Sequence, residues 1–243
     1  MKERLARIVA DLAADYADIR YEENKKTRVA YRGERLELVS SYATSGGHVR
    51  VYADGGKATA SFSDPVRVGS IADASLASAK LAAKGRDRPL QLADAPVVTG
   101  EFPVSPRVDP RTVKLEEKIE LLRHYNDLIL REPDVLTSEA EYDEFGSKRL
   151  FVNSEGSIIE YELLNIGIFG RIVTKKGNVV QRVRFAFGGN EDFSLLYDRD
   201  EELIERVAIA RKLLDASPPR AGIYPVILDP DEAAVFIHEA FGH

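Results

Sequence analysis

Apolar residues in the first sixteen positions fall three and four apart, at Leu5, Ile8, Val9, Leu12 and Tyr16. That stripe predicts an amphipathic helix over residues 2–16. The period then changes to two. Thr27, Val29 and Tyr31 alternate with Arg28, Ala30 and Arg32, Gly33 marks a turn, and Leu36, Leu38 and Ser40 continue beyond it, as in a half-buried sheet. Val49 and Val51 lie on a third strand, Asp54-Gly55-Gly56 tolerate positive φ, and residues 57–63 form the return strand of a hairpin. Asp64-Pro65 opens an alanine-rich helix over residues 66–84, whose small side chains allow close packing on the sheet. Residues 1–84 are thus expected to form one α+β unit of helix, four strands and helix.

Five of the eleven prolines fall in residues 85–112, and each removes a backbone donor and biases its predecessor to extended geometry. This stretch is expected to be a surface linker. A second α+β unit is expected over 113–217. Leu115, Ile119, Leu122 and Ile129 share a helical face, and three or four strands follow between Val135 and Phe187, with turns at 153–156 and 176–178. Val179, Val183, Phe185 and Phe187 alternate with Gln181, Arg182 and Arg184, and a helix over 199–216 closes the unit before Ser217-Pro218-Pro219. Antiparallel hairpins bracketed by helices predict an α+β fold, with two-layer sandwich units of antiparallel sheet and packed helices rather than βαβ crossovers.

Composition narrows the class of function. The chain has 243 residues, 44% of them hydrophobic, which argues for packed domains rather than disorder. Lys and Arg total 34 against 40 for Asp and Glu, a net charge of -6, which disfavours a nucleic-acid partner. No stretch reaches the roughly 18 consecutive apolar residues of a membrane span, and the charged start lacks the apolar core of a secretory signal. Cysteine is absent, so thiolate chemistry is excluded within these residues, and a reducing, cytoplasmic setting is expected.

The last twenty residues carry the chemistry. Tyr224, Val226, Ile227 and Leu228 predict a short strand ending at Asp229-Pro230. Asp229 suits an N-cap, Pro230 the first helical position, and Glu232 the reciprocal capping place. The helix expected over 231–241 has almost no charge after Glu232 and should be buried, which puts His238, Glu239 and His243 in an apolar setting. A histidine on such a helix is most often a hydrogen-bonded core residue, and a Glu beside it can be a plain ion pair. Zinc chemistry also explains these residue types: imidazoles are good ligands and a neighbouring carboxylate can take a proton from metal-activated water. On a regular α-helix the spacing turns His243 about 140° from His238. Gly242 allows the helix to end, bulge or take a left-handed residue, swinging His243 back.

The run 222–230, GIYPVILDP, followed by HEAFGH at 238–243, resembles the signature of the TldD/PmbA family of metallopeptidases, with supporting matches in SGGHVRVYADGG at 45–56 and FVNSEG at 151–156. The resemblance implies a cytoplasmic zinc peptidase of the motif-bearing, TldD type. His238 and His243 are implied as metal ligands, and Glu239 as the general base that activates water against unstructured or modified peptides. It implies a third ligand, a Cys, downstream of residue 243, so that 218–243 would begin a catalytic domain and the chain would be an N-terminal portion, inactive by itself. It implies a peptide substrate and a related family subunit, or a second copy, as partners. The alternative is a noncatalytic dimerisation scaffold with an orphaned HExxxH.

Other clusters read more plainly. Ser45-Gly46-Gly47-His48 could form an anion nest, but a strand follows where a phosphate site wants a helix. Glu139, Glu141, Asp143 and Glu144 near-alternate as on a solvated strand face. His124 is expected on the surface, and Arg182 and Arg184 as ordinary exposed sheet arginines.

Overall fold

The computed structural model describes residues 1–85 and 88–243. Arg86 and Asp87, inside the expected linker, lie outside the described residues. In chain order the elements are helix α1 (Lys2–Ala10), strands β1 (Tyr16–Arg32), β2 (Arg35–Ala53) and β3 (Gly56–Phe62), helix α2 (Val68–Ala83), strand β4 (Thr99–Phe102), helix α3 (Leu115–Leu130), strands β5 (Val135–Asn153), β6 (Ile158–Lys176) and β7 (Val179–Asn190), and helices α4 (Asp200–Lys212) and α5 (Pro230–Ile237). Short 3-10 turns precede α2 and flank α4.

The seven strands among the described residues join in one sheet, ordered β3-β2-β1-β5-β6, with β7 and the short β4 both on the outer side of β6. Pairing is antiparallel throughout except for β4, which runs parallel to β6 from Thr99↔Ile158 to Phe102↔Tyr161. The fold is the expected α+β arrangement of antiparallel sheet with packed helices. The sheet is continuous from end to end because β1 pairs β5 from Asp18↔Asn153 to Arg32↔Glu139.

Both helical layers lie on one face of this sheet. Ala17, Ile19 and Tyr21 of β1 face a core with Leu5, Val9, Val68, Ala72 and Ala79. Val29 and Tyr31, of the same parity on the same strand, face a second core with Leu122, Tyr125, Ile129, Leu203 and Val207. The intervening even positions, including Arg20, Glu22, Asn24, Lys26 and Arg28, point to the opposite, uncovered face.

The first helix ends six residues early, and Tyr16 instead opens β1. Its ring is held between Tyr52 and Arg50, cross-strand contacts that outweigh one more helical turn. The four expected strands before α2 are three, because 16–26 extends β1 and β2 runs unbroken through 41–48. In 16–26 the many charged residues hid this, and in 41–48 the run of small and polar residues with Gly46-Gly47 carries no apolar alternation. The proline-rich stretch contributes β4, whose approach is fixed by Val98 donating to Ser157 Oγ at 3.1 Å and Ile158 donating to the Val98 carbonyl at 3.0 Å. Residues 224–228 form no strand, and the C-terminal helix is exposed rather than buried: Val235, Phe236 and Phe241 are 55, 61 and 83% exposed. Apart from the turn that continues this helix, no described element packs extensively against it.

Glu144 also departs from expectation. It is buried on the helical face of β5, where it accepts hydrogen bonds from Lys118 of α3 and from the Tyr142 hydroxyl. Burial and the neighbouring carboxylate push the Tyr142 hydroxyl well above its ordinary pKa.

Close approach of α2 to β3 rests on Gly56. A Cβ there would stand 2.1 Å from the Ala79 carbonyl oxygen and 2.6 Å from the Ala83 nitrogen, both backbone atoms that cannot swing aside. Gly69, on the same helix, has nothing within 4 Å of its Cβ position. Gly56→Ala should therefore destabilise the chain by about 1–3 kcal/mol through overpacking, whereas Gly69→Ala should stabilise it by about 0.5 kcal/mol through helix propensity. Urea unfolding of the two variants checks the opposite signs.

Candidate functional site

Helix α5 starts as its residues dictate. The Asp229 carboxylate accepts from the Glu232 amide at 2.9 Å, and Pro230 occupies a first-turn place where no donor is needed. At His238 the α-helix passes into a π-helical turn, His238–Gly242. A π-turn closes on residues five apart instead of four, and five is the separation of His238 and His243. Their Nε2 atoms stand 2.9 Å apart with the rings edge to face at a centroid distance of 4.5 Å.

The helix thus bulges to realign the histidines, one of the routes open to Gly242. Gly242 is not a left-handed residue: the positive-φ glycines are Gly33, Gly55, Gly156, Gly177 and Gly188. A Cβ at Gly242 would meet His238 Nδ1 at 3.5 Å, ordinary van der Waals contact.

At that distance the two rings share a hydrogen bond, and two imidazole nitrogens so close also suit a tetrahedral metal, which holds such ligands about 3.3 Å apart. The fit is partial, because no group of three His, Cys, Asp or Glu side chains among the described residues is placed to hold an ion. Glu239 is exposed beside His238 on the same turn. Neither of the other histidines joins them. His124 on α3 bonds Asp200 of α4 at 2.9 Å, and His48 lies on β2.

A second feature escaped sequence reasoning. The uncovered sheet face is hollowed into a groove of about 780 Å³ lined by Arg20, Glu22, His48, Arg149, Phe151 and Tyr161. The Arg20 guanidinium lies 5.2 Å from the Phe151 ring centre and that of Arg149 lies 5.9 Å from Tyr161. Glu22 sits 3.4 Å from Arg149 and accepts from Asn24 at 3.0 Å. Gly46 and Gly47 also line it. Its traces in the sequence were the alternation of Arg20, Glu22 and Asn24, which reads equally as a plain solvated face, and Ser45-Gly46-Gly47-His48, weighed above as an anion nest. The nearby acidic row is neutralised: Asp143 pairs Lys26 at 3.0 Å, Glu141 pairs Arg28, and Glu139 lies within 4 Å of Arg32 and Arg171.

Comparison with known proteins gives two domain matches, "PmbA/TldA metallopeptidase domain 1" over residues 17–82 and "PmbA/TldA metallopeptidase central domain" over 108–215. The histidine motif lies beyond both. A metalloprotease of Synechocystis sp. is 30% identical over 231 residues, covering 95% of this chain and 50% of the relative. A metalloprotease of Methanothermobacter thermautotrophicus is 32% identical over 231 residues, covering 94% and 50%. The chain therefore spans about half the length of the curated relatives it matches. Among solved structures, TldE from Thermococcus kodakarensis superposes with a TM-score of 0.67 at 16% identity, over 86% of this chain and 47% of that one. A Thermotoga maritima protein described as a modulator of a DNA gyrase gives 0.67 at 14% identity, over 85% and 46%. These two likenesses show the fold.

If the π-turn, and not left-handed geometry at Gly242, brings the two rings together, Gly242→Ala should keep them in contact. Nuclear Overhauser effects between the His238 and His243 ring protons should survive that substitution, and their disappearance would return the role to glycine's conformational freedom.

Proposed function

This chain belongs to the PmbA/TldD family of metallopeptidases, and from that premise we propose that it is the N-terminal portion of a zinc-dependent peptidase acting on unstructured or modified peptides. The observation that carries this reading is the convergence of the His238 and His243 Nε2 atoms to 2.9 Å on a π-turn. In it, residues 1–84 and 113–217 form two α+β units joined by 85–112, and 218–243 opens a catalytic domain.

His238 and His243 would hold the metal, and a third ligand, a Cys, would come from sequence beyond residue 243. When bound, the zinc supplies Lewis acidity for attack of water on a peptide carbonyl. Glu239 follows His238 directly and projects to a different side of the turn, so its carboxylate accepts the proton of the attacking water instead of taking a ligand place. The apolar surface of α5 excludes water from this chemistry once a further domain covers it, which strengthens every charge interaction inside. The proposed setting is cytoplasmic, and the proposed partner a related family subunit or a second copy.

The 243-residue chain alone should bind zinc weakly or not at all, because two exposed imidazoles are an incomplete shell. Equilibrium dialysis against a zinc buffer measures this. Stoichiometric binding at nanomolar free zinc, abolished by His238→Ala, would mean that the third ligand lies within these residues.

In the protein completed by the downstream sequence, Glu239→Gln keeps the size of the side chain and removes the proton acceptor. Peptide cleavage should fall by roughly 10²–10⁴-fold, the usual range for a positioned general base, while zinc content stays near one per site. Cleavage rate and metal analysis on one preparation decide the matter: wild-type turnover at full zinc loading removes Glu239 from the mechanism, and loss of the metal makes it a ligand.

A further inference from the structure

The groove on the uncovered sheet face takes no part in the metal chemistry, yet its charges do not balance. Asp18, two residues before Arg20 on β1, is neutralised by Arg50, whose Nε and Nη2 both stand 2.6 Å from its Oδ2. Arg20 is left over. Its Nε is 3.7 Å from Asp18 Oδ1, beyond hydrogen-bond distance, and its side chain is 57% exposed. Along the lining, Arg20 and Arg149 face one carboxylate, Glu22, which Arg149 already engages at 3.4 Å. Farther along the face the charges cancel, Lys26 with Asp143 and Arg28 with Glu141. A chain of net charge -6 thus holds an unmatched cation in a groove of about 780 Å³.

An orphan acceptor lies beside it. Asn24, also in the lining, donates through Nδ2 to Glu22 at 3.0 Å, and this fixes the sense of the amide, because the reversed one would set oxygen against carboxylate. Asn24 Oδ1 is buried and has no hydrogen-bond partner among the described residues. Buried acceptors are seldom left so, and this one suits a ligand N–H. The Arg20 guanidinium, 5.2 Å from the Phe151 ring centre, is steadied by that ring while its N–H fork stays open to take a carboxylate in two parallel bonds. Arg149 is less free, since its Nε donates to Ser147 Oγ at 3.1 Å. The lining comes from β2, β1, β5 and β6, and crossing four strands at about 4.8 Å each spans roughly 14 Å, the length of about four extended residues.

We propose that this groove binds an extended acidic peptide, with the carboxylate of one Asp or Glu side chain held by Arg20 and a peptide N–H donated to Asn24 Oδ1. Phe151, Ile159 and Tyr161 give the flanking residues an apolar floor. Glu22 already occupies Arg149 and repels a second carboxylate there, so the groove takes one acidic side chain at a time. The choice of a peptide as occupant rests on the peptidase reading above. The binding itself needs no metal and is measured on the 243-residue chain, so the two can fail separately.

The probe is a short unstructured peptide, blocked at both ends, with one central Asp, titrated calorimetrically into the chain. Asn in place of that Asp should weaken binding roughly 10- to 100-fold, the worth of a charge-assisted hydrogen-bonded pair, and so should Arg20→Gln. Arg20→Lys, which keeps the charge and loses the fork, should fall between. Arg171→Gln, at the other end of the same face, where Arg171 lies 3.6 Å from Glu139, should bind as the parent chain does. Circular dichroism reports whether each variant is folded. If Arg20→Gln is not, nuclear magnetic resonance of the parent chain decides: the Asp peptide should shift the Asn24 side-chain amide and the Arg20 Nε–H and leave the Arg171 Nε–H in place. Equal binding of the Asp and Asn peptides, undiminished binding by a folded Arg20→Gln chain, or shifts that bypass Asn24 and Arg20 would overturn the proposal. So would tighter binding of the Asn peptide with a free C-terminal carboxylate, or of a single-stranded oligonucleotide.

Discussion

Pairing of β1 with β5 is the interaction on which this structure depends. The two strands lie about a hundred residues apart in sequence, and their ladder from Asp18↔Asn153 to Arg32↔Glu139 turns two hairpin systems into one sheet. Because side chains alternate, one strand sends Ala17, Ile19 and Tyr21 into the first core and Val29 and Tyr31 into the second. A slip of one residue would exchange these for Arg20, Asn24 and Arg28 and expose both cores together. Registry of a single strand pair is thus the condition for both helical layers.

Polar groups inside the fold follow from the same geometry. Glu144 lies on the covered face of β5 by strand parity, so Lys118 of α3 must reach it, and the Tyr142 hydroxyl bonds the same carboxylate. Burying that ion pair costs desolvation, and removing one partner would leave a naked charge at a cost of about 3–5 kcal/mol. Asp18 repeats the arrangement on the other face: fully buried, it is held by Arg50 at 2.6 Å, with Arg20 at 3.7 Å from its second oxygen. Each interior carboxylate ties a neighbouring element to the central strands, which helps to fix the register.

The two ends of the molecule's chemistry contrast with this rigidity. The groove over Arg20, His48 and Arg149 rests on paired strands, while His238, Glu239 and His243 stand on an exposed helix that no other described element supports extensively. Apolar exposure at Val235, Phe236 and Phe241 is the signature of a surface made to be covered. The histidines nonetheless come together without that cover, because the π-turn is a local backbone event with i to i+5 closure.

Much of this was legible in the chain because it is local. The period of 3.6 at Leu115, Ile119, Leu122 and Ile129, the Asp54-Gly55 turn and the Asp229-Pro230 helix start each depend on residues within a few positions of one another. The HExxxH spacing likewise announced that the helix had to depart from regular geometry. What the chain alone could not decide depends on partners distant in sequence. Tyr16 joins a strand because Tyr52 and Arg50 await it, 97–102 becomes partly strand because Ser157 and Ile158 receive it, and Glu144 is buried because Lys118 crosses above it. Burial is a property of what lies opposite a side chain, and pattern along one strand or helix shows only which face is available for it.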